Sequence, residues 1–216
     1  MRIASIIDHT LLNPEASKAE VEKLCEEAVE HGFASVCVNG CHVEFACSCI
    51  RGSGLPVAAV VGFPLGAMST EAKAFETRDA VQNGAGEIDM VINIGALKDG
   101  DYDYVLKDIK GVVEAAGEGV KVKVILETCL LSSEEIAKAS ALVAKSGAHF
   151  VKTSTGFSKS GATEDDIRLI RSVVGEDFGI KASGGIRTYS DAIKMVEAGA
   201  TRIGASASVE IAKGEE

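Results

Sequence analysis

The 216-residue chain has no excess of positive charge: 22 Lys and Arg stand against 32 Asp and Glu, a formal net charge of -10. Nucleic acid and anionic membrane surfaces select for basic faces. Neither is expected as a partner, whereas a small anion held by a local positive site stays open. No apolar run approaches the ~18 residues of a membrane span. The opening Met1-Arg2-Ile3-Ala4-Ser5-Ile6-Ile7-Asp8 is too short and too soon interrupted for a signal peptide. The expectation is a soluble, cytoplasmic protein. There are three prolines and no Ser-, Gly- or charge-rich linker, so residues 1–216 are expected to form one domain. Barrels of roughly 200–250 residues are commonly single domains, and a chain of this length buries enough surface to be stable without disulfides.

Cys-x-x-Cys is also absent. Of the six cysteines, Cys25, Cys37, Cys41, Cys47, Cys49 and Cys129, four fall between Cys37 and Cys49 with His42 among them. A metal site is one reading, but there is no second ligand pair at zinc-finger distance. Free thiols acting as small hydrophobes in a reducing compartment is the other, and the expectation is no metal.

What is present is a rhythm. A short β-branched run, a polar or glycine turn and a longer amphipathic segment recur along the chain. The strand-like runs are Ile6 to Thr10, Ser35 to Val38, Val57 to Val61, Glu87 to Ile92, Val122 to Leu126, Phe150 to Thr153, Gly179 to Ala182 and Arg202 to Ala205. The helical segments start near Ser17, Val43, Ser69 or Thr70, Tyr102, Ser133, Thr163, Tyr189 and Ser208. Ser132-Ser133-Glu134-Glu135 reads as a capping box, Thr163 as a cap with Asp166 three residues on, and Thr188 or Ser190 as the next. Regular alternation implies a parallel sheet covered by helices, and eight units in about 200 residues fit a closed (β/α)₈ barrel. A doubly wound sheet would often carry a glycine fingerprint after its first strand; Asp8-His9-Thr10-Leu11-Leu12 has none.

A barrel of this kind builds its active site at the C-terminal ends of its strands. Asp8, Asn39, Asp89, Asn93, Glu127, Thr128, Lys152, Lys181, Gly204 and Ser206 stand there. Lys152 and Lys181 hold equivalent places, each in a short apolar run before a small-residue turn. Adjacent strands lie about 4.8 Å apart, so two inward amines would meet. Like charges at that range disfavour double protonation and lower one pKa, as burial does. A neutral lysine is a nucleophile toward carbonyl substrates. The plainer alternative is a lysine that snorkels into water or pairs with helix carboxylates. Asp89, mid-strand in an apolar run, needs a partner; the lysines supply one, and it could relay protons. Asp8 is similarly placed, to orient the lysines or bind a substrate hydroxyl. Lys123, alternating with Ile125 and Glu127, points inward further from the strand end and is expected to support the site.

A phosphate signal is separate. Ser183-Gly184-Gly185-Ile186-Arg187 follows the seventh strand and Gly204-Ala205-Ser206 the eighth, where barrels often bind phosphate. Backbone N–H groups freed by glycine make an anion nest. Arg187 adds a charge, Ser206 a hydroxyl, and Gly156 after the sixth strand extends the cradle.

With these residues assembled, the chain resembles the deoxyribose-phosphate aldolases, class I aldolases on a (β/α)₈ barrel. The matching stretches include Ile7-Asp8-His9-Thr10-Leu11-Leu12, Val61-Gly62-Phe63-Pro64-Leu65-Gly66, Glu87-Ile88-Asp89-Met90-Val91, Phe150-Val151-Lys152-Thr153-Ser154-Thr155-Gly156-Phe157 and Ile180-Lys181-Ala182-Ser183-Gly184-Gly185-Ile186-Arg187, in order over nearly the whole chain. The resemblance implies reversible cleavage of 2-deoxy-D-ribose 5-phosphate to acetaldehyde and D-glyceraldehyde 3-phosphate, within deoxyribose phosphate catabolism. It implies that Lys152 forms the Schiff base, that Lys181 lowers its pKa and that Asp89 moves protons, with no metal or organic cofactor. Two positions depart from the family: Asn39-Gly40, where Asn-Pro is common, and Ala207, where a second hydroxyl often follows the serine.

Another phosphosugar lyase on the same barrel, a metal-dependent aldolase using the Cys/His cluster and a non-catalytic phosphosugar-binding barrel are the rival readings. A homodimer or higher homo-oligomer is the expected assembly.

Overall fold

The computed structural model describes residues 2–215. Eight strands, β1 (Ile7–Leu11), β2 (Ser35–Val38), β3 (Val57–Val61), β4 (Glu87–Val91), β5 (Lys121–Ile125), β6 (Phe150–Lys152), β7 (Gly179–Ser183) and β8 (Arg202–Ala205), form a closed barrel in chain order. β1 pairs in parallel with both β2 and β8, which completes the ring. Around it run α1 (Lys18–His31), α2 (Val43–Cys49), α3 (Thr70–Gln82), α4 (Ile94–Lys98), α5 (Tyr102–Ala116), α6 (Ser133–Ser146), α7 (Glu164–Val174), α8 (Tyr189–Glu197) and α9 (Ser208–Lys213). This is the (β/α)₈ barrel that the alternation predicts.

The sequence sets the helix starts through side-chain caps. Ser17, Ser132 and Thr188 each accept from the N3 backbone while Glu20, Glu135 and Asp191 reach back, completing capping boxes. Ser69 rather than Thr70 caps α3, and Thr163 caps α7. One helix escapes the periodicity. α4 has five residues directly after β4, and Asn93, expected at the strand end as a site residue, is its cap, accepting from the Ala96 N–H at 3.0 Å. Five residues are too few to display a helical period.

Alternation along each strand sorts side chains between two interiors. Val57, Ala59 and Val61 of β3, Ile88 and Met90 of β4 and Val122 and Val124 of β5 face the helices and belong to the main core. The lumen is divided. On the β2–β3 side Cys37, Ala58 and Val60 pack with Leu12 and Phe63 into a small apolar cluster. The opposite side carries Asp8, Glu87, Asp89, Lys123, Lys152 and Lys181, all buried. Charges at that depth persist only when paired.

A second buried ion pair lies outside the barrel. Lys73 on α3 donates to Asp108 on α5 and to the Val91 carbonyl at 2.9 Å, and Thr70 donates to Asp108 at 2.9 Å. The lysine stem runs beneath Gly62, where a β-carbon would come within 3.0 Å of Lys73 Cε. No described helix is long and apolar enough to cross a membrane.

Candidate active site

Parallel register aligns the charged lumen residues. Asp89 stands opposite Lys123, Lys152 opposite Lys181, and Lys181 opposite Arg202. The two lysines of β6 and β7 do come together, but not amine to amine. Asp89 Oδ2 lies between them, accepting from Lys152 Nζ at 2.8 Å and Lys181 Nζ at 2.7 Å. Its other oxygen accepts from Lys123 at 2.7 Å. Asp8 accepts from Lys181 through Oδ2 and from Arg202 through Oδ1, at 2.5 and 2.6 Å. Lys123, expected at the margin, is a full member of this network, and also reaches Glu87 at 2.5 Å.

The electrostatics separate the three amines. Burial lowers the Lys152 pKa and the Lys181 ammonium lowers it further, while Asp89 opposes both without restoring the ordinary value. Lys181 is as deeply buried, yet Asp8 and Asp89 outweigh that and raise it. Lys123 is raised for the same reason, by Asp89, Asp8 and Glu87. Burial acts to raise the Asp89 pKa, but the ammonium groups of Lys123, Lys152 and Lys181 hold it well below the carboxylate range. At neutral pH Asp89 is therefore an anion, and Lys152 is the lumen amine whose pKa is lowered.

Of the three lumen lysines Lys152 alone lines the cavity at the barrel mouth, which encloses about 350 Å³. Gly156, Gly184, Gly185, Arg187, Gly204 and Ser206, the expected phosphate-binding set, all line the same cavity. Gly156, Gly184 and Gly185 have φ of 87°, 81° and 80°, a region that favours glycine. Gly204 stands inside the eighth strand, within the run expected for it. It is buried within β8, where a β-carbon would lie 2.8 Å from Lys181 Cε, so its missing side chain is the slot through which Lys181 passes. Arg187 and Ser206 are exposed at the rim.

The role of one strand-end residue lay beyond sequence reasoning. Glu127 is the single described non-glycine residue with positive φ, 59°. Its buried carboxylate accepts from the Thr155 N–H at 3.2 Å and from the Thr155 hydroxyl, and that hydroxyl in turn accepts from the Phe157 N–H at 3.0 Å. Strained backbone of this kind persists only where its surroundings over-determine it. Here it fixes the β6 loop that carries Gly156. Phe157 meets Phe63 edge to face at 5.4 Å across the mouth, joining this loop to the apolar side of the lumen. Asn39 ties the ends of β1 and β2 together, donating to the Leu12 carbonyl at 3.1 Å. Among the described residues no three His, Cys, Asp or Glu side chains converge on a metal-sized site.

Comparison with known proteins agrees with this geometry. The profile described as DeoC/LacD family aldolase matches residues 2–212. A deoxyribose-phosphate aldolase of Clostridium perfringens (strain SM101 / Type A) is 59% identical over 99% of this chain and 96% of its own length. One of Streptococcus sanguinis (strain SK36) is 59% identical over 100% and 98%. The solved deoxyribose phosphate aldolase of Aeropyrum pernix, described as a unique tetrameric structure, superimposes with a TM-score of 0.92 at 32% identity, over 99% of this chain and 90% of that one. With barrel, lumen and sequence in agreement, the chain belongs to the DeoC/LacD family of aldolases.

Proposed function

We propose that this protein is a deoxyribose-phosphate aldolase that cleaves 2-deoxy-D-ribose 5-phosphate to acetaldehyde and D-glyceraldehyde 3-phosphate through an imine on Lys152. The observation that carries the reading is a buried amine of lowered pKa, hydrogen-bonded to an ionised carboxylate at 2.8 Å, opening into a cavity rimmed by positive-φ glycines. It is supported by full-length identity of 59% to proteins of that name.

In this reading neutral Lys152 attacks the C1 aldehyde of the open-chain sugar, and the carbinolamine loses water to give an iminium ion. Removal of the C3 hydroxyl proton then breaks the C2–C3 bond. Its electron pair flows into the iminium, leaving an enamine, while C3 departs as the aldehyde of the three-carbon phosphate. Protonation of C2 and hydrolysis release acetaldehyde and restore the amine. Asp89 is the proton carrier, anionic at rest and hydrogen-bonded to the reacting nitrogen. Lys181 remains a cation beside it. The glycine-lined rim with Ser206 and Arg187 takes the phosphate, and the apolar side of the lumen receives the two-carbon fragment, which bears no hydroxyl. No metal or organic cofactor has a part in these steps, because the iminium ion is itself the electron sink. The enzyme works as a homo-oligomer in the cytoplasm, on a small phosphosugar rather than nucleic acid or membrane.

Borohydride in the presence of acetaldehyde tests this: it should inactivate the protein and add a two-carbon unit to the peptide holding Lys152. Turnover abolished by chelator, with no lysine adduct, would instead mean metal chemistry. Lys152→Leu separates an enzyme from a phosphosugar-binding barrel, which would retain its function.

A further inference from the structure

We infer that Arg202, at the floor of the barrel, is a positioning residue that acts through Asp8 and Lys181 to make Lys152 the amine that gives up its proton. The inference rests on the Schiff-base reading above. Arg202 stands at the start of β8, away from the cavity, with its side chain 11% exposed. Its guanidinium donates to Asp8 at 2.6 Å and Glu87 at 3.3 Å and lies over the Phe150 ring, 5.4 Å from the centroid. Phe150 is two residues before Lys152 on β6. Asp8 passes the contact on to Lys181, Lys181 to Asp89, and Asp89 to Lys152.

The charge count gives this chain its meaning. Four basic groups face the closed lumen, Lys123 from β5, Lys152 from β6, Lys181 from β7 and Arg202 from β8. Three carboxylates oppose them, Asp8 from β1 and Glu87 and Asp89 from β4. Cys37 on β2 is also close, its thiol pushed up by burial and so uncharged. Lys121 touches Glu87 only at 4.0 Å, from the half-exposed end of β5. A buried cluster disfavours net charge, and a guanidinium does not deprotonate. Three carboxylates and a fixed arginine balance when one of the three amines is neutral.

Contacts decide which amine that is. Lys123 has three carboxylates within 4 Å, Glu87, Asp89 and Asp8, Lys181 has two and Lys152 has one. The least compensated ammonium yields its proton first. Without Arg202, three amines would face three carboxylates, the cluster would balance with every lysine protonated, and Lys152 would hold its proton to higher pH. Arg202 thus supplies the surplus positive charge that the nucleophile sheds.

The test is the pH dependence of kcat/KM together with that of acetaldehyde trapping on Lys152 by cyanoborohydride. For Arg202→Met the acidic limb should move up by about one pH unit, with a roughly tenfold loss at neutral pH that recovers in alkali. Asp8→Asn removes a carboxylate and should move the limb down, and Asp8→Asn/Arg202→Met should return it toward the unmutated protein. Arg202→Lys, which keeps a cation, should shift it least. Equal loss at every pH, or an unmoved limb, overturns the inference and leaves Arg202 a structural residue. If Arg202→Met does not fold, Asp8→Asn against the double variant makes the same comparison, and identical limbs overturn it. The unmutated protein tests the underlying reading separately: absence of a Lys152 adduct there defeats the Schiff base itself.

Discussion

Lys152 and Lys181 share one oxygen. Asp89 Oδ2 accepts from both amines, at 2.8 and 2.7 Å, so neighbouring lysines of β6 and β7 are bridged by a carboxylate rather than pressed against each other. Lys181 then has Asp8 as a second partner and Lys152 has none, which divides two similar strand positions into a fixed cation and a labile one.

Lys181→Leu is therefore expected to abolish efficient turnover without removing the nucleophile. With one cation fewer beside Asp89, Lys152 retains its proton to higher pH. At neutral pH kcat/KM should fall on the order of 10³-fold, with a rising limb displaced to alkaline pH. Lys152→Leu should show no limb at all. Steady-state rates from pH 6 to 10 distinguish the two.

Lys152 should also weaken the fold that it serves. Its pKa is lowered in the folded protein, so folding works against the proton that the unfolded chain binds. The cost is fully present below the folded pKa and fades as pH rises toward the unfolded value of about 10.4. Lys152→Met should thus stabilise the protein by ~1–2 kcal/mol at neutral pH, a rise in Tm of about 2–8 °C at this chain length. Denaturant titrations at pH 7 and pH 10.5 should show that gain shrinking at the higher pH. Asp8 and Asp89 act in the opposite direction. Their depressed pKa values stabilise the fold above the unfolded carboxylate range, and that stability is lost as pH falls through about 4 and below.

The pair Lys73–Asp108 carries a stability prediction free of catalysis. Both side chains are fully buried, and breaking such a pair leaves one charge without compensation. Asp108→Asn should cost about 3–5 kcal/mol. Lys73→Met/Asp108→Leu should recover most of it, since hydrophobic replacement of a buried pair is often neutral. A double-mutant cycle by chemical denaturation measures the coupling.

Glu127 makes a prediction about substrate binding. Its carboxylate holds Thr155 by backbone and hydroxyl, one residue from the Gly156 turn. Glu127→Gln exchanges one acceptor oxygen for a donor and should loosen the loop. KM for the phosphosugar should rise roughly tenfold, with a smaller fall in kcat. Glu127→Gly, which relieves the positive φ but removes the carboxylate, should raise KM as much or more.

Gly204→Ala should impair catalysis without touching the phosphate. The added carbon would sit 2.8 Å from Lys181 Cε and 3.0 Å from Ser183 Cβ, forcing Lys181 off Asp89. A fall in kcat of at least tenfold, with little change in binding of inorganic phosphate, is expected. An equal loss of phosphate affinity would return Gly204 to the anion site.

The barrel was legible because short apolar runs alternated with longer amphipathic segments, several of them visibly capped, and Lys152, Lys181 and Asp89 stood out as charges inside apolar runs. The remainder was hidden for separate reasons. α4 is shorter than two turns. Lys123 carried the correct inward phase, but depth along a tilted strand is not written in alternation. Arg202 sits at the beginning of β8, where barrel logic looks for stability rather than chemistry; its spacing from Gly204 was the available sign that it shares the lumen. The role of Glu127 depends on a backbone angle that its own side chain disfavours, and Lys73 and Asp108 are 35 residues apart on separate helices.

The seam between β1 and β8 gives the ring its last consequence. Asp8 is contributed by the first strand and Arg202 by the last, 194 residues apart. The other seven strands carry the three lumen lysines and the three carboxylates, and β8 adds the guanidinium. Docking of the final strand therefore closes the backbone ring and brings the guanidinium of Arg202 onto Asp8 and Glu87 in one event. In the reading proposed above, the pairing that closes the ring is thus also what sets the charge of the nucleophile.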